Sequence, residues 1–444
     1  MPSKKKKNRW KKLLSESRMV KEAKQPGDRH AFEIDLDRIV FSTSFRRLKD
    51  KTQVYSLPSN DHVRNRLTHS LEVSSVGRSL GVGVGHHVIN KYNLDKLSSY
   101  HFGCVVQAAC LAHDIGNPPF GHSGENAISE WFKNRSPKGW DSGLTRKQKD
   151  DLECFEGNAQ GFRILTNIEY AKRKGGLRLT HATLSVFVKY PRNASNNPKD
   201  GYIGSKKNGF FQSERKIIDE TAKATGMIEI DNGYWKRHPL TYLMEAADDI
   251  CYSVVDIEDG FELGVISYKD ACEILANMAN INLKKNFPPI EQIRYLRSIA
   301  IGKLIEQAKN VFIENEESIL SGEYGKGLLD HFVFVKEAKK LAETIYSSDH
   351  VVKKQVSGRN IIHGILDEMF GIVIKLHETN WDISKLDHWE RNIAYLIGKN
   401  ELDVIKSQPT SSKYDAIRFL VDFVSGMTDG FALRLHRQIN GIDI

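Results

Sequence analysis

Apolar residues recur along most of this chain at steps of three to five positions, and that rhythm predicts helices. Leu67, Leu71, Val76, Leu80 and Val84 fall along one side of a helix that carries His69 near its start. Residues 102–114 are almost wholly apolar and predict a helix buried on most sides, stopped by Gly116 and Pro118-Pro119. A third long helix is predicted over 241–259, with further ones over 286–314, 328–347, 359–377, 388–399 and 412–437. Strand signals are confined to 177–179 and 227–235. The fold class is therefore mainly α.

Charge and cysteines narrow the class of protein. The formal net charge of the 444 residues is +9, but the first twelve hold seven cations and no acid, which leaves only +2 for the rest. The basicity sits in an N-terminal arm, read either as a solvated tail or as an electrostatic arm for nucleic acid. No apolar run is long enough to cross a bilayer, and Lys4 to Lys7 are not followed by the apolar stretch of a secretory signal. Five cysteines without a C-x-x-C pair read as reduced core residues of a cytoplasmic protein. The least regular stretch, Lys189 to Gln212, mixes Asn and Gly with Arg192, Lys199, Lys206 and Lys207. It is either a plain surface excursion or a loop that closes over an anionic substrate.

The chemistry concentrates in Leu111 to Glu125. His113 and Asp114 end the apolar helix side by side, and His122 and Glu125 follow the Gly/Pro turn. A buried His-Asp doublet is costly to desolvate, and a divalent cation compensates it well. The remaining ligands have to come from distant helices, and His69 and Asp248 or Asp249 are the candidates. Positions 248, 252 and 256 fall on one helical stripe, which aligns Asp248, Tyr252 and Asp256 and favours Asp248 over Asp249. The expected metal site is His69, His113, Asp114 and Asp248. Mixed His/Asp ligation accepts Mg, Mn, Fe, Co or Ni.

These residues resemble the HD-domain phosphohydrolases. Longer strings sharpen the likeness: Phe41-Ser42-Thr43-Ser44-Phe45-Arg46-Arg47-Leu48, Lys51-Thr52-Gln53-Val54, Arg64 to Ser70, His113 to Glu125, Glu245 to Ile250 and Ser425 to Asp429. In that order they are similar to the bacterial deoxyguanosine triphosphate triphosphohydrolases, from about residue 29 onward. The chain departs from that family at Gly430 and Phe431, where an arginine and a tyrosine are expected.

The resemblance implies an HD-domain helical bundle with additional helices and a few short strands. Residues 1–28 would be a flexible basic arm, 29–280 a catalytic domain with the basic loop near 190–212, and 281–444 a C-terminal helical region. It implies metal-dependent hydrolysis of a dNTP, with dGTP preferred, to deoxynucleoside and inorganic triphosphate. His122, oriented by Glu125, would be the general acid/base, although Ser123 capping the next helix is another reading of that segment. Arg66, Lys189 and Lys207 would hold the triphosphate. Tyr252 and Asp256 would read the deoxyribose, and Gln53 and Val54 would lie beside the sugar and base. The family also implies a homo-oligomer, often a hexamer, single-stranded DNA as an allosteric ligand, and no membrane association. Two other functions fit the residues: an HD phosphohydrolase acting on a different nucleotide, and a single-stranded nucleic-acid-binding protein with a vestigial site.

Overall fold

The computed structural model describes residues 4–21, 28–52, 64–170, 175–196, 201–282, 287–346, 349–398, 402–403, 406 and 412–442. The first helices are α1 (Lys4–Leu13), α2 (Ala31–Val40), α3 (Thr43–Arg47), α4 (Arg66–Tyr92) and α5 (Ser99–Ala112). Shorter ones follow: α6 (His122–Glu130), α7 (Arg146–Glu153), α8 (Gly157–Arg163), α9 (His181–Phe187) and α10 (Arg215–Thr225). A two-stranded antiparallel sheet, β1 (Glu229–Asp231) with β2 (Tyr234–Trp235), precedes α11 (Thr241–Glu262). The remainder is α12 (Tyr268–Ala279), α13 (Pro289–Glu314), α14 (Glu316–Ser321), α15 (Val333–Tyr346), α16 (Asp349–Glu378), α17 (His388–Ile397), α18 (Lys413–Gly426) and α19 (Asp429–Ile439).

The mainly helical class matches the apolar rhythm, with two local corrections. The single helix expected over 412–437 is two, because Thr428 leaves helical geometry and its side chain caps α19 by accepting from Phe431 N. No strand forms at 177–179: Leu177 closes a turn, Arg178 takes φ +52°, and pairing there is an isolated bridge between Arg18 and Thr180.

The side chains bury into two apolar cores. One gathers α1, α2, α4, α5, α9 and α11 to α13, with Leu80, Phe102, Val106, Leu243, Leu296 and Phe312 fully buried. The other gathers α6, α7 and α16 to α19 around Phe132, Leu152, Ile365, Met369 and Leu420. The division near residue 280 expected from the sequence is not where packing divides the chain. Ile293 and Leu304 belong with the first core, whereas Ile128 and Leu152 belong with the C-terminal helices.

The flexible arm is also corrected for the residues described. In α1, Trp10 and Leu13 are fully buried, and Leu14 just beyond it is nearly so. Trp10 lies 5.7 Å from the ring of Phe102 and donates through Nε1 to Glu316 at 3.1 Å, while Lys6 pairs with Glu317. Three apolar residues at positions 10, 13 and 14 form a stripe that the surrounding lysines conceal in the composition. All five cysteines are unpaired, four of them buried and Cys154 exposed.

Candidate active site

Helices α4 and α5 cross at backbone contact, and this closeness builds the site. A Cβ on Gly81 would stand 2.8 Å from the carbonyl oxygen of Phe102 and 2.9 Å from Gly103 Cα, so only glycine permits the approach. Asn65 caps the start of α4 in a reciprocal box with Thr68, which sets His69 on the first turn. His113 ends α5 as its C-cap, and α11 passes beside both helices with Asp248.

His69 Nε2 lies 3.3 Å from Asp248 Oδ1, and His113 Nε2 lies 3.6 Å from the same oxygen. Donor atoms of His69, His113 and Asp248 all fall within 4.8 Å of one another. His113 Nδ1 is 2.7 Å from the carbonyl oxygen of Cys110. A carbonyl only accepts, so Nδ1 carries the proton and the lone pair of Nε2 faces the cluster.

Asp114 stands at the edge of the cluster. Its Oδ1 is 3.5 Å from His113 Nε2 and accepts from Asn117 at 2.6 Å, while Oδ2 accepts from Arg66 at 2.7 Å. Burial would raise the carboxyls of Asp114 and Asp248, yet the facing histidines and cations hold both well below the usual range. Burial would likewise lower His69, but the hydrogen bond and charge of Asp248 raise it. Asp249 lines the same cleft but pairs with Lys339 at 2.7 Å.

The turn after Asp114 places His122 at the first position of α6. Gly121 precedes that helix at φ +59° and contributes no side-chain cap, so the helix starts without the Ser123 cap. His122 Nδ1 is 2.6 Å from Glu125 Oε2, and the other oxygen of Glu125 accepts the backbone N–H of Gly157 at 2.8 Å. The His122 ring is 75% exposed and Glu125 only 8%, so a fixed carboxylate orients an accessible imidazole. Its hydrogen bond and charge raise His122 above the ordinary histidine value. Burial would raise Glu125, but His122, Lys207 and the Gly157 N–H bring it below the usual value.

Cations surround the same cleft, which has a volume of about 600 Å³. Lys189 Nζ is 3.6 Å from Glu245 and 3.7 Å from Asp248 Oδ2. Lys207 Nζ is 3.1 Å from Glu156 and 4.0 Å from Glu125. Arg66 and Tyr252 line the cleft as well. Asp256, one turn beyond Tyr252, is buried and is not among the described residues lining it. Gln53 and Val54 lie outside the described residues. In the basic loop, Arg192 turns inward and ties its own loop through Ser205 O at 2.9 Å and Asn196 O at 2.7 Å.

Sequence reasoning missed several lining residues. Asn117, three residues from Asp114, could have been found by its place beside the doublet. Lys339 on α15 and Lys354 and Gln355 on α16 reach the cleft from far along the chain and carry no local signal.

Comparison with known proteins follows the same lines. The HD domain family matches residues 66–152, a span from Arg66 into α7. A "Deoxyguanosinetriphosphate triphosphohydrolase-like protein" of Synechocystis sp. is 38% identical over 98% of this chain and 100% of its own length. A protein of the same description from Pseudomonas aeruginosa (strain LESB58) is 37% identical over 97% of this chain and 98% of its own. A "Deoxyguanosinetriphosphate triphosphohydrolase" of Yersinia pestis (strain Pestoides F) is 31% identical over 92% and 93%.

Proposed function

The chain belongs to the HD-domain deoxyguanosinetriphosphate triphosphohydrolase family, and on that premise we propose that it hydrolyses a deoxynucleoside triphosphate, dGTP by preference, to deoxynucleoside and inorganic triphosphate with a divalent metal ion. One observation carries this reading. A His/His/Asp cluster, a histidine oriented by the glutamate behind it, and five cations among the described residues share one cleft.

The donor set fits a hard or borderline divalent ion. His69 Nε2, His113 Nε2 and an oxygen of Asp248 would hold it, with Asp114 Oδ1 the fourth ligand, and the Cys110 carbonyl already selects the right tautomer of His113. When bound, such an ion supplies Lewis-acid charge against a phosphate oxygen. Arg66, Lys189 and Lys207 bind and orient the polyanion, each already tethered by a carboxylate that limits its freedom. His122 holds a proton above the ordinary histidine range because Glu125 faces it. That proton is placed to pass to the 5′ oxygen as the bond to the α-phosphorus breaks and water adds to phosphorus. Tyr252, which lines the cleft, reads the sugar, Asp256 stands one turn beyond it on α11, and Gln53 and Val54 read the neighbouring sugar and base edge.

The test is a matrix of the four dNTPs and GTP against Mg and Mn, with inorganic triphosphate as the readout. Triphosphate release from dGTP ahead of the others is expected. Pyrophosphate or monophosphate as the product, or full hydrolysis by His113→Ala, would overturn the reading.

A further inference from the structure

The turn from Asp114 to His122 joins the metal cluster to the acid/base pair, and its shape depends on a segment more than 300 residues away. Phe120 stands at φ +64°, a conformation that bulky L residues rarely adopt, and Gly121 follows at φ +59°. Two hydrogen bonds within the turn, Asn117 N to Asp114 O at 3.1 Å and Gly121 N to Pro118 O at 3.2 Å, do not reach the N–H of Phe120. That N–H donates to Asp429 Oδ1 at 3.0 Å.

The second oxygen of Asp429 accepts from Thr52 N at 3.2 Å and from the Thr52 hydroxyl. Thr52 and Phe120 both line the cleft. One buried carboxylate, 7% exposed, therefore bridges two of its walls. Lys51 grips the turn from the other side, donating to Asn117 O at 2.5 Å and to Ser425 O at 3.0 Å. Both grips rest on the junction of two helices, Ser425 in the last turn of α18 and Asp429 at the first position of α19. Asp429, Thr52 and Phe120 make no hydrogen bond described above to the metal cluster or the cations of the cleft, whereas the grip of Lys51 falls on Asn117, which donates to Asp114.

We infer that Asp429 is a positioning residue for hydrolysis: it holds the Phe120 turn in its left-handed form, and so sets where His122 stands over the cleft, while fixing Thr52 beside that turn. The inference rests on the reading of His122 and Glu125 as the acid/base pair. Without the carboxylate, the Phe120 N–H loses its acceptor and the backbone is free to relax toward negative φ. His122, two residues on, then moves relative to ligands that stay where they are.

The experiment compares Asp429→Ala, Asp429→Asn and Thr52→Val with the wild type in the full chain. Triphosphate release gives kcat, KM and the pH profile of kcat, Mn binding is followed by calorimetry, and folding by circular dichroism and thermal melting. A displacement of the order of 1 Å at the acid/base group lowers kcat by about 100-fold. Asp429→Ala is expected to show that loss with an altered pH profile and unchanged Mn affinity. Asp429→Asn, which keeps one acceptor oxygen, should fall between, and Thr52→Val should raise KM more than it lowers kcat. Asp429→Ala or Asp429→Asn folding normally with wild-type kcat and pH profile overturns the inference. So does a loss of Mn affinity in step with activity, which marks a purely structural role. If Asp429→Ala fails to fold, the asparagine and valine variants decide. His122→Ala separates the two readings: if it retains activity the acid/base assignment fails, and if it is inactive while the Asp429 variants are normal, only the positioning role fails.

Discussion

Removing the carboxylate of Glu245 should destabilise this protein far more than removing any surface charge. Glu245 lies one turn before Asp248 on α11 and is 8% exposed, and its partner Arg237 has no exposed side-chain surface. The guanidinium reaches it twice, at 2.6 and 3.1 Å, and donates also to Lys189 O at 2.6 Å. Glu245→Ala leaves the charge of Arg237 uncompensated in the core, at a cost on the order of 3–5 kcal/mol. Glu245→Gln keeps volume and one acceptor but loses the charge, and should cost about 2 kcal/mol. The double variant Arg237→Met/Glu245→Leu removes the buried charge altogether and should recover most of the loss. The control is the exposed pair Lys303–Glu306, whose side chains are 50% and 57% accessible, where Glu306→Ala should change stability by no more than about 0.5 kcal/mol. Urea titration followed by circular dichroism at low and high salt gives the midpoints, and the Glu245 loss should be insensitive to salt because solvent ions do not reach the pair. Equal midpoints for Glu245→Ala and Glu306→Ala would refute the reasoning.

Three further outcomes follow from the same geometry. Glu125→Gln takes away the charge that raises His122, so the alkaline limb of the kcat profile, where the proton of His122 is lost, should move to lower pH; an unmoved limb argues against that pairing. A Cβ at Gly116 would stand 2.1 Å from both Gly157 O and Gly161 N, backbone atoms that cannot yield, so Gly116→Ala should cost about 1–3 kcal/mol in thermal melts and lower kcat by drawing Gly157 from Glu125. Burial raises Asp151 from the ordinary 3.8 to about 7, although Gln212 N and Tyr414 Oη each donate to it at 2.6 Å. The folded state thus holds a proton that the unfolded chain has released, and stability is lost as pH rises from about 4 to about 7, by at most about 4 kcal/mol. Asp151→Asn does not titrate, so its stability relative to wild type should improve across that window and level off above it; parallel profiles would contradict the assignment.

The parts of the site legible in the sequence are those whose chemistry is rare against its background. His113-Asp114 at the end of an apolar run asks for a compensating charge, and Asp248 shares a helical stripe with Tyr252, so periodicity and ligand chemistry select the same residues. The helices α4, α5 and α11 that carry them show clear apolar rhythm. Docking of α1 was not legible, because Trp10 and Leu13 are two apolar positions among seven cations. Nor was the pairing of Ile128 and Leu152 with helices beyond residue 360, since a tertiary contact leaves no mark on local spacing. Lys339 and Lys354 look like any solvated lysine until packing turns them toward the cleft. Asp429 is similar: a carboxylate at a helix start reads as a cap, and its reach to Phe120 depends on how α19 packs beside the turn before α6.

The docked first helix has a consequence for how the chain is made. Trp10 leaves the ribosome 306 residues ahead of its hydrogen-bond partner Glu316. At a synthesis rate of about 5–20 residues per second, that partner appears some 15–60 s afterwards. Phe102, whose ring packs on Trp10, is made well before Glu316, so the apolar face of the tryptophan gains its cover before its indole N–H gains an acceptor. α1 thus completes its seating only after Glu316 is made, and a tag fused ahead of Lys4 would test the tolerance of that late closure.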